Sequence, residues 1–254
     1  MPTPRQPVAI ARVDGADWLA RGRPPLIDHL RTSAAVVLRG ALPEELRQRW
    51  IDSVYSNRDG WIADFEGEQF AVGRAFYTHL ETGRSSLYFE DAAASDARVE
   101  RAMPGMQSFV RDTLARLLGG KVRPRLGFCG PGAHIFPAGG KVARRGGVVH
   151  FDVEGLTPHQ LARGRRTATI VWMLQPPERG GGLRLFRAMY SGEEHATDED
   201  IETPARTLRY AAGDLVLMDS RRLHQIRPFR GDRDRVSITL HAVEVDHGVW
   251  EAWF

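Results

Sequence analysis

Between residues 121 and 245 the chain alternates short strand-forming runs with glycine-rich or polar turns, and this pattern restricts the fold more than any other feature. Short runs of apolar and β-branched residues predict strands, and glycines predict the turns between them. Many such strands in succession favour two sheets closed into a jelly roll. The eight predicted strands cover residues 122–129, 134–137, 148–153, 167–174, 183–188, 208–210, 215–218 and 236–245.

Residues 1–120 have a mixed pattern. Residues 34–40 form an apolar run that ends in glycine, which predicts a strand and a turn. Pro43 precedes two acidic residues and predicts the start of a helix. Apolar residues at helical spacing predict a second helix over residues 96–118, split or kinked by an internal proline. We therefore expect an N-terminal α/β extension that packs on a jelly-roll core of residues 121–254, the two forming one integrated domain.

Charge balance and cysteine content limit the partners and the compartment. The chain has 35 Lys and Arg against 32 Asp and Glu, so it lacks the strongly basic character of a nucleic-acid-binding protein. No apolar run is long enough to cross a bilayer, and residues 1–5 lack the apolar core of a signal peptide. The single cysteine, Cys129, excludes an internal disulfide. We therefore expect a cytoplasmic protein; the sequence leaves its oligomeric state open.

A histidine and an aspartate stand two residues apart, at His150 and Asp152. In an extended strand these side chains would point to the same face. His224 follows a predicted strand and a polar bend, and would add a third ligand. Two histidines and one carboxylate, with the other positions open, form the ligand set of non-haem Fe(II) oxygenases. The competing interpretation is a hydrogen-bonded pair at a strand end together with an ordinary buried histidine.

Arg235 and Ser237 share one face of the last predicted strand, and Arg235 lies eleven residues after His224. A guanidinium offers a planar pair of donors that matches a carboxylate. The competing interpretation is a solvated strand face.

These residues, His150-x-Asp152, His224 and Arg235-x-Ser237, resemble the pattern of the 2-oxoglutarate-dependent Fe(II) oxygenases. The resemblance covers roughly the C-terminal half of the chain. It implies a double-stranded β-helix with the metal between the sheets. It implies that the two histidines and the aspartate bind Fe(II), and that Arg235 and Ser237 bind the distal carboxylate of 2-oxoglutarate. It also implies an enzyme that uses O₂, releases succinate and hydroxylates its substrate.

Three classes of function stay open. The first class hydroxylates a small molecule, such as a free amino acid or a biosynthetic intermediate. Halogenating relatives carry a small residue in place of the aspartate, so the resemblance implies that the carboxylate of Asp152 favours hydroxylation or a related oxidation over halogenation. The second class acts on protein or nucleic acid. Its nucleic-acid repair members carry a further arginine on the strand of Arg235, where this chain has Thr239 and His241. The third class is a non-catalytic jelly-roll binding module, which tends to lose one of the ligands.

The sequence gives weaker indications about the substrate. Glu154 lies two residues after Asp152 and would face the metal if the strand continues, so it could hold a cationic group. Upstream, Arg74, Tyr77 and His79 lie in a mixed polar and aromatic segment that could cover the mouth of the jelly roll. Arg74 would then bind a substrate carboxylate. The alternative is that Glu154 is a turn residue and Arg74 is solvated.

Three further side chains have candidate roles. Asp219 is a possible hydrogen-bond partner for a ligating histidine, although a turn residue is the simpler interpretation. His134 and His241 lie in predicted strands, and we expect both to be core histidines with ordinary hydrogen bonds.

Overall fold

The computed structural model describes residues 8–21, 24–193 and 195–254. Residues 1–5, on which the prediction about secretion rests, lie outside that part of the chain. None of the helices in the described ranges combines the length and the apolar character needed to cross a membrane.

A large mixed sheet forms the centre of the molecule. Its strands follow the order β1-β2-β11-β7-β14-β6-β4-β3, and β15 pairs with both β14 and β5. Most of its pairs are antiparallel, whereas β1–β2 and β15–β5 are parallel. The strands are β1 (Ile10–Asp14), β2 (Ala35–Arg39), β3 (Ile62–Asp64), β4 (Gln69–Val72), β5 (Lys121–Pro124), β6 (Gly132–Phe136), β7 (Thr167–Gln175), β11 (Leu215–Met218), β14 (Arg235–Asp246) and β15 (Val249–Trp253).

A smaller sheet of order β10-β9-β12 covers one face of the large sheet. Its strands are β9 (Leu183–Met189), β10 (Ala205–Leu208) and β12 (Arg222–Ile226), and His150 joins β12 through one isolated bridge to His224. A separate two-stranded sheet pairs β8 (Arg179–Gly180) with β13 (Phe229–Arg230). Apolar side chains fill the space between the sheets, among them Met173 on β7 and Leu185 on β9. The predicted fold class, mainly β with flanking helices in a jelly roll, is confirmed.

Helices cover the other face of the large sheet. Helices α1 (Gly15–Arg21), α2 (Glu44–Ser56), α5 (Ala92–Ala102) and α6 (Met106–Leu118) pack on this face. The other helices of the described residues are α3 (Phe76–Glu81), α4 (Ser85–Glu90), α7 (Lys141–Arg145), α8 (Pro158–Ala162) and α9 (Asp198–Glu202), of which α7 contacts β13 and α9 contacts β9. Trp50 of α2 and Leu114 of α6 belong to the same buried cluster as Ile170 and Trp172 of β7. Burying this apolar surface is the main stabilising contribution of the helices.

The predicted helix over residues 96–118 is two helices, α5 and α6, as the internal Pro104 suggested. Gly105 between them has a φ of 73°, which is the left-handed conformation that glycine adopts without strain. The predicted helix start at Pro43 is confirmed, since α2 begins at the next residue.

Several strand predictions need correction. A regular strand over residues 148–153 is wrong, because only His150 makes a bridge there. The strand predicted over 208–210 ends, rather than begins, at Leu208. The strand predicted over 122–129 stops at Pro124, whose missing N–H cannot continue the ladder.

Candidate active site

A cavity of about 410 Å³ opens between the two sheets. The wall formed by the large sheet presents one face of β14, with Arg235, Ser237, Thr239 and His241 at alternate positions. The opposite side is formed by the segment that contains His150 and by β12. Aromatic side chains close the remaining sides, so polar groups stand in an otherwise largely apolar space.

His150, Asp152 and His224 meet in this cavity. The Nε2 atom of His150 lies 3.3 Å from Oδ1 of Asp152, and Nε2 of His224 lies 3.4 Å from Oδ2. One potential ligand atom from each of the three residues falls within 4.8 Å of the others. A divalent metal ion fits a donor set of this size and chemistry.

Backbone hydrogen bonds gather the three side chains without a regular strand. The N–H of His150 donates to the carbonyl of His224 at 3.1 Å, and the N–H of His224 donates back at 3.0 Å. The N–H of Asp152 donates to the carbonyl of Ser220 at 2.8 Å. The structure therefore brings together the three residues that the sequence singled out, and the local geometry that unites them is a bridge and not a strand.

The ring orientation of each histidine is set by a backbone carbonyl. Nδ1 of His150 lies 2.9 Å from the carbonyl of Val148, and Nδ1 of His224 lies 2.8 Å from that of Arg222. A carbonyl only accepts, so each Nδ1 carries the proton and each Nε2 is left as a potential ligand. The predicted partner Asp219 does not serve this purpose, because it bonds Arg221 and Thr167.

Burial and neighbouring charges shift the pKa values of His150, Asp152 and His224 in opposite directions. Burial favours the neutral form of Asp152, but the neighbouring histidines, His224 first, hold the pKa of its carboxyl well below the usual range. Burial lowers the pKa of His224 to about 4, against the attraction of Asp152. Burial also lowers the pKa of His150, but the hydrogen bond and charge of Asp152 outweigh it and raise that pKa to about 9. A metal at this site would therefore meet an ionised carboxylate and would displace a proton from His150.

Asp152 has further partners that the sequence did not indicate. The hydroxyl of Thr169 lies 2.8 Å from Oδ2 of Asp152, 3.0 Å from Oγ of Ser220 and 3.1 Å from Nδ1 of His241. Thr169 lies on β7 and is paired in register with His241 on β14. Neither threonine nor serine gives a recognisable signal at such positions, because their contact depends on strand register.

Arg235 is a buried cation, and its hydrogen-bond partners among the described residues are neutral. Its side chain is 2% exposed, and it donates to Ser237 at 3.0 Å and to the hydroxyl of Tyr210 at 2.6 Å. Its Nε atom is buried and has no hydrogen-bond partner within the described part of the chain. No carboxylate of the described residues forms an ion pair with it. A buried charge of this kind is costly unless an anion compensates it, so the arrangement fits an anionic ligand.

Of the four predicted substrate residues, two line the cavity and two lie outside its wall. Glu154 and Tyr77 line the cavity. Burial, and then the charge of Asp152, raise the pKa of Glu154 to about 7. Tyr77 accepts a hydrogen bond of 2.6 Å from Gln69.

Arg74 and His79 do not belong to the cavity wall. The guanidinium of Arg74 pairs with Asp91 at 2.5 Å and lies 2.9 Å from Nε2 of His79. His79 is fully buried, with Nδ1 2.8 Å from the carbonyl of Ala75. These contacts fix the two side chains inside the N-terminal helices, so the geometry does not support the predicted bond between Arg74 and a substrate carboxylate.

Both histidines that were expected in the core also line the cavity. Nδ1 of His134 is buried and finds no hydrogen-bond partner in the ranges that the structure describes, which contradicts the expectation of ordinary hydrogen bonds. Its ring packs instead against Phe254, with 4.7 Å between the ring centroids.

The sequence-family model for the 2OG-Fe(II) oxygenase superfamily matches residues 141–242 of this chain. That segment contains His150, Asp152, His224, Arg235 and Ser237, which meet at the cavity just described. Residues 141–242 thus form a 2OG-Fe(II) oxygenase domain. With this domain, the protein is a dioxygenase that depends on Fe(II), 2-oxoglutarate and O₂.

Solved structures of such oxygenases share the fold. An N-substituted L-amino acid dioxygenase from Burkholderia ambifaria AMMD superposes with a TM-score of 0.59 at 15% identity, over 90% of this chain and 90% of that one. The non-heme alpha ketoglutarate dependent carbocyclase SnoK from nogalamycin biosynthesis gives 0.54 at 18% identity, over 87% and 83%. The epimerase SnoN, solved with Fe³⁺, alpha ketoglutarate and nogalamycin RO, gives 0.51 at 16% identity, over 84% and 80%. The comparison with curated protein sequences gave no match.

Proposed function

We propose that this oxygenase hydroxylates an unactivated C–H bond of a small molecule. The observation that carries the proposal is the pairing, in one cavity, of a two-histidine, one-carboxylate site with the buried and uncompensated cation of Arg235. A metal site alone has many uses. A metal site that shares its cavity with an anion-binding arginine fits a dicarboxylate co-substrate in particular.

In this proposal His150, Asp152 and His224 hold Fe(II) through the two Nε2 atoms and the carboxylate. Arg235 binds the distal carboxylate of 2-oxoglutarate, with Ser237 and Tyr210 fixing its guanidinium through the hydrogen bonds already described. Bound Fe(II) supplies oxidation by O₂ coupled to decarboxylation of 2-oxoglutarate. The aromatic side chains around the cavity exclude water, which protects such a reaction from side reactions.

We further propose a substrate with a cationic group, such as a free amino acid or an amine-bearing biosynthetic intermediate. Glu154 supports this, because its carboxylate lies in the cavity wall close to the metal site. Tyr77 adds an aromatic face and a hydroxyl. The amino acid dioxygenase with the same fold is consistent with a substrate of this class. Arg74 has no part in the revised proposal.

Replacement of each metal ligand tests the reaction. We expect His150→Ala, Asp152→Ala and His224→Ala to reduce Fe(II)-dependent release of succinate to the level of a protein-free control, because each removes one of three ligands. Succinate formation is measured with 2-oxoglutarate, Fe(II) and ascorbate, and circular dichroism checks that each variant is folded. A folded variant that keeps near-wild-type turnover would show that its residue is not a ligand. A wild type that binds 2-oxoglutarate but forms no succinate would favour a binding module.

Charge removal at Glu154 tests the substrate class. A mass-spectrometric screen of amino acids, amines and neutral compounds for the gain of one oxygen would identify the substrate. Glu154→Gln should then raise the Michaelis constant for that substrate and leave the constant for 2-oxoglutarate unchanged, because Arg235 and not Glu154 binds the co-substrate. Efficient oxidation of a neutral, apolar compound, with Glu154→Gln equal to wild type, would contradict the proposed class.

A further inference from the structure

A buried hydrogen-bond network holds the carboxylate of Asp152 and connects strands β7 and β14. Oδ2 of Asp152 accepts a hydrogen bond from the hydroxyl of Thr169. That hydroxyl is also in contact with Ser220 and His241. Thr169 and Ser220 are each 1% exposed, and the side chain of His241 is 13% exposed. Bulk water therefore has little access to the network, and the protein itself must satisfy its donors and acceptors.

The chemistry of the groups determines which one donates. An ionised carboxylate has no hydrogen, so Thr169 must give its single hydroxyl hydrogen to Asp152. The oxygen of Thr169 can then only accept from its other two neighbours. Ser220 therefore donates its hydroxyl hydrogen to Thr169, and His241 donates from Nδ1. This assignment holds whichever charge His241 carries, because Nδ1 bears a hydrogen in both cases.

The network also distinguishes the two oxygens of Asp152. Oδ2 carries the hydrogen bond from Thr169, whereas Oδ1 faces Nε2 of His150 at 3.3 Å and has no hydroxyl donor. Oδ1 thus keeps its lone pairs for His150 or for a metal ion, whereas Oδ2, which is 3.4 Å from Nε2 of His224, is already held by Thr169. A fixed carboxylate with one free oxygen is preorganised as a ligand, since its orientation does not have to be restricted when a metal binds.

We propose that Thr169 and His241 are positioning residues for the metal site: Thr169 orients the carboxylate of Asp152, and His241 acts through Thr169 by fixing the direction of its hydroxyl. The inference rests on the proposed function, in which Asp152 is a metal ligand. It gives His241 a positioning role, whereas the sequence led us to expect only a core histidine with ordinary hydrogen bonds. It also explains why a threonine with an obligatory partner lies in the middle of β7, where its neighbours Ala168 and Ile170 are apolar.

Metal affinity without turnover tests the proposal. Co(II) replaces Fe(II) because it is stable in air and its visible absorption reports the coordination, and the purified metal-free protein is titrated to give a dissociation constant. We expect Thr169→Val, which keeps the shape but loses the hydroxyl, to weaken Co(II) binding about 10- to 100-fold. Thr169→Ser should restore an affinity close to that of the wild type. His241→Leu should weaken binding by a smaller factor.

A double variant separates action through Thr169 from an independent effect. If His241 works only by directing that hydroxyl, Thr169→Val with His241→Leu should bind Co(II) no more weakly than Thr169→Val alone. Losses that multiply in the double variant would overturn the role given to His241. An unchanged dissociation constant in Thr169→Val would overturn the proposal as a whole.

Thr167→Val is the matched control. Thr167 lies two residues earlier on β7, is 3% exposed and donates a 2.7 Å hydrogen bond to Asp219, whose other side-chain partner is Arg221 and not a metal ligand. This variant loses an equally buried hydrogen bond, so it should lower the melting temperature as Thr169→Val does but leave Co(II) affinity unchanged. Weaker binding in Thr167→Val would show that any buried defect in β7 has the same effect, which contradicts positioning. A wild type that binds no Co(II) would instead overturn the proposed metal site.

Discussion

Arg235 carries a positive charge in a region from which water is almost excluded. Its two terminal nitrogens are held by Ser237 and Tyr210, both neutral, and its ring neighbour Phe136 lies 5.3 Å from the guanidinium carbon. Neutral donors and acceptors orient a cation but do not cancel its charge. The free protein therefore keeps an electrostatic cost at this residue, and a bound dicarboxylate would remove it.

We expect Arg235→Ala to weaken 2-oxoglutarate binding by one to two orders of magnitude. A hydrogen bond to a charged group contributes about 1.5–3 kcal/mol, which corresponds to that range. Arg235→Lys should recover only part of the affinity, because an ammonium lacks the planar pair of donors. Calorimetric titration of Mn(II)-loaded protein with 2-oxoglutarate gives the constants, and Arg233→Ala, an exposed arginine just before the strand, is the control. Equal affinity in Arg235→Ala would transfer the role to another cation.

Residue patterns in the sequence indicated the triad and Arg235 because these chemistries need few residue types at recognisable spacings. Tyr210, Ser220 and Thr169 were not indicated. Each comes from a different segment, and each reaches the site only through the pairing of distant strands. Their types are common in strands and loops, so the residue alone carries no signal.

At the scale of elements, strands with a continuous apolar run were predicted well. The predicted limits of β11 agree with the structure, and β7 differs by one residue. The strand β12 was interpreted as a bend followed by a histidine. Gln225 directly follows His224 and interrupts the alternation that Arg222, Leu223 and His224 begin, so this short strand has no complete period-two pattern.

Strand β6 carries His134, and the burial of this histidine should make the free energy of unfolding depend on pH. Burial, followed by the positive charges of His241 and Arg235, lowers the pKa of His134 to about 3. In the unfolded chain the same group titrates near its ordinary value of 6.5. The stability that neutral His134 contributes is therefore complete above about pH 6.5 and is lost as the pH falls from there toward 3.

We expect wild type to lose stability on acidification more steeply than His134→Asn. The difference in slope should approach about 1.4 kcal/mol per pH unit well below pH 6.5, because only the wild type must take up a proton on unfolding at this position. Urea unfolding of the metal-free proteins between about pH 7.5 and pH 5 provides the measurement, because this range includes the ordinary pKa of histidine. Parallel curves for the two proteins would indicate that His134 is already protonated in the folded state.

At the scale of the whole molecule, the large sheet crosses the boundary predicted at residue 120. Strand β2 pairs with β11, and β4 pairs with β6, so segments from the first part complete both sides of the jelly roll. Helices α2, α5 and α6 then cover its outer face in one shared apolar cluster. The sequence indicated an extension packed on a core. It predicted a strand over residues 34–40 but could not indicate that strands of the extension join the sheet of the core, because pairing partners are set by register and topology rather than by local pattern.

We expect the full chain to unfold in one cooperative transition, and a fragment of residues 121–254 to lack native structure. Removing the first part would expose the edges of β11 and β6 and uncover Ile170 and Trp172, which have no exposed surface in the intact protein. Far-UV circular dichroism and tryptophan fluorescence should give the same midpoint for the full chain, since both parts contain tryptophans. The fragment should show neither a cooperative transition nor Co(II) binding. A fragment that folds and binds metal, or two separate transitions in the full chain, would establish two independent domains in place of the single integrated one.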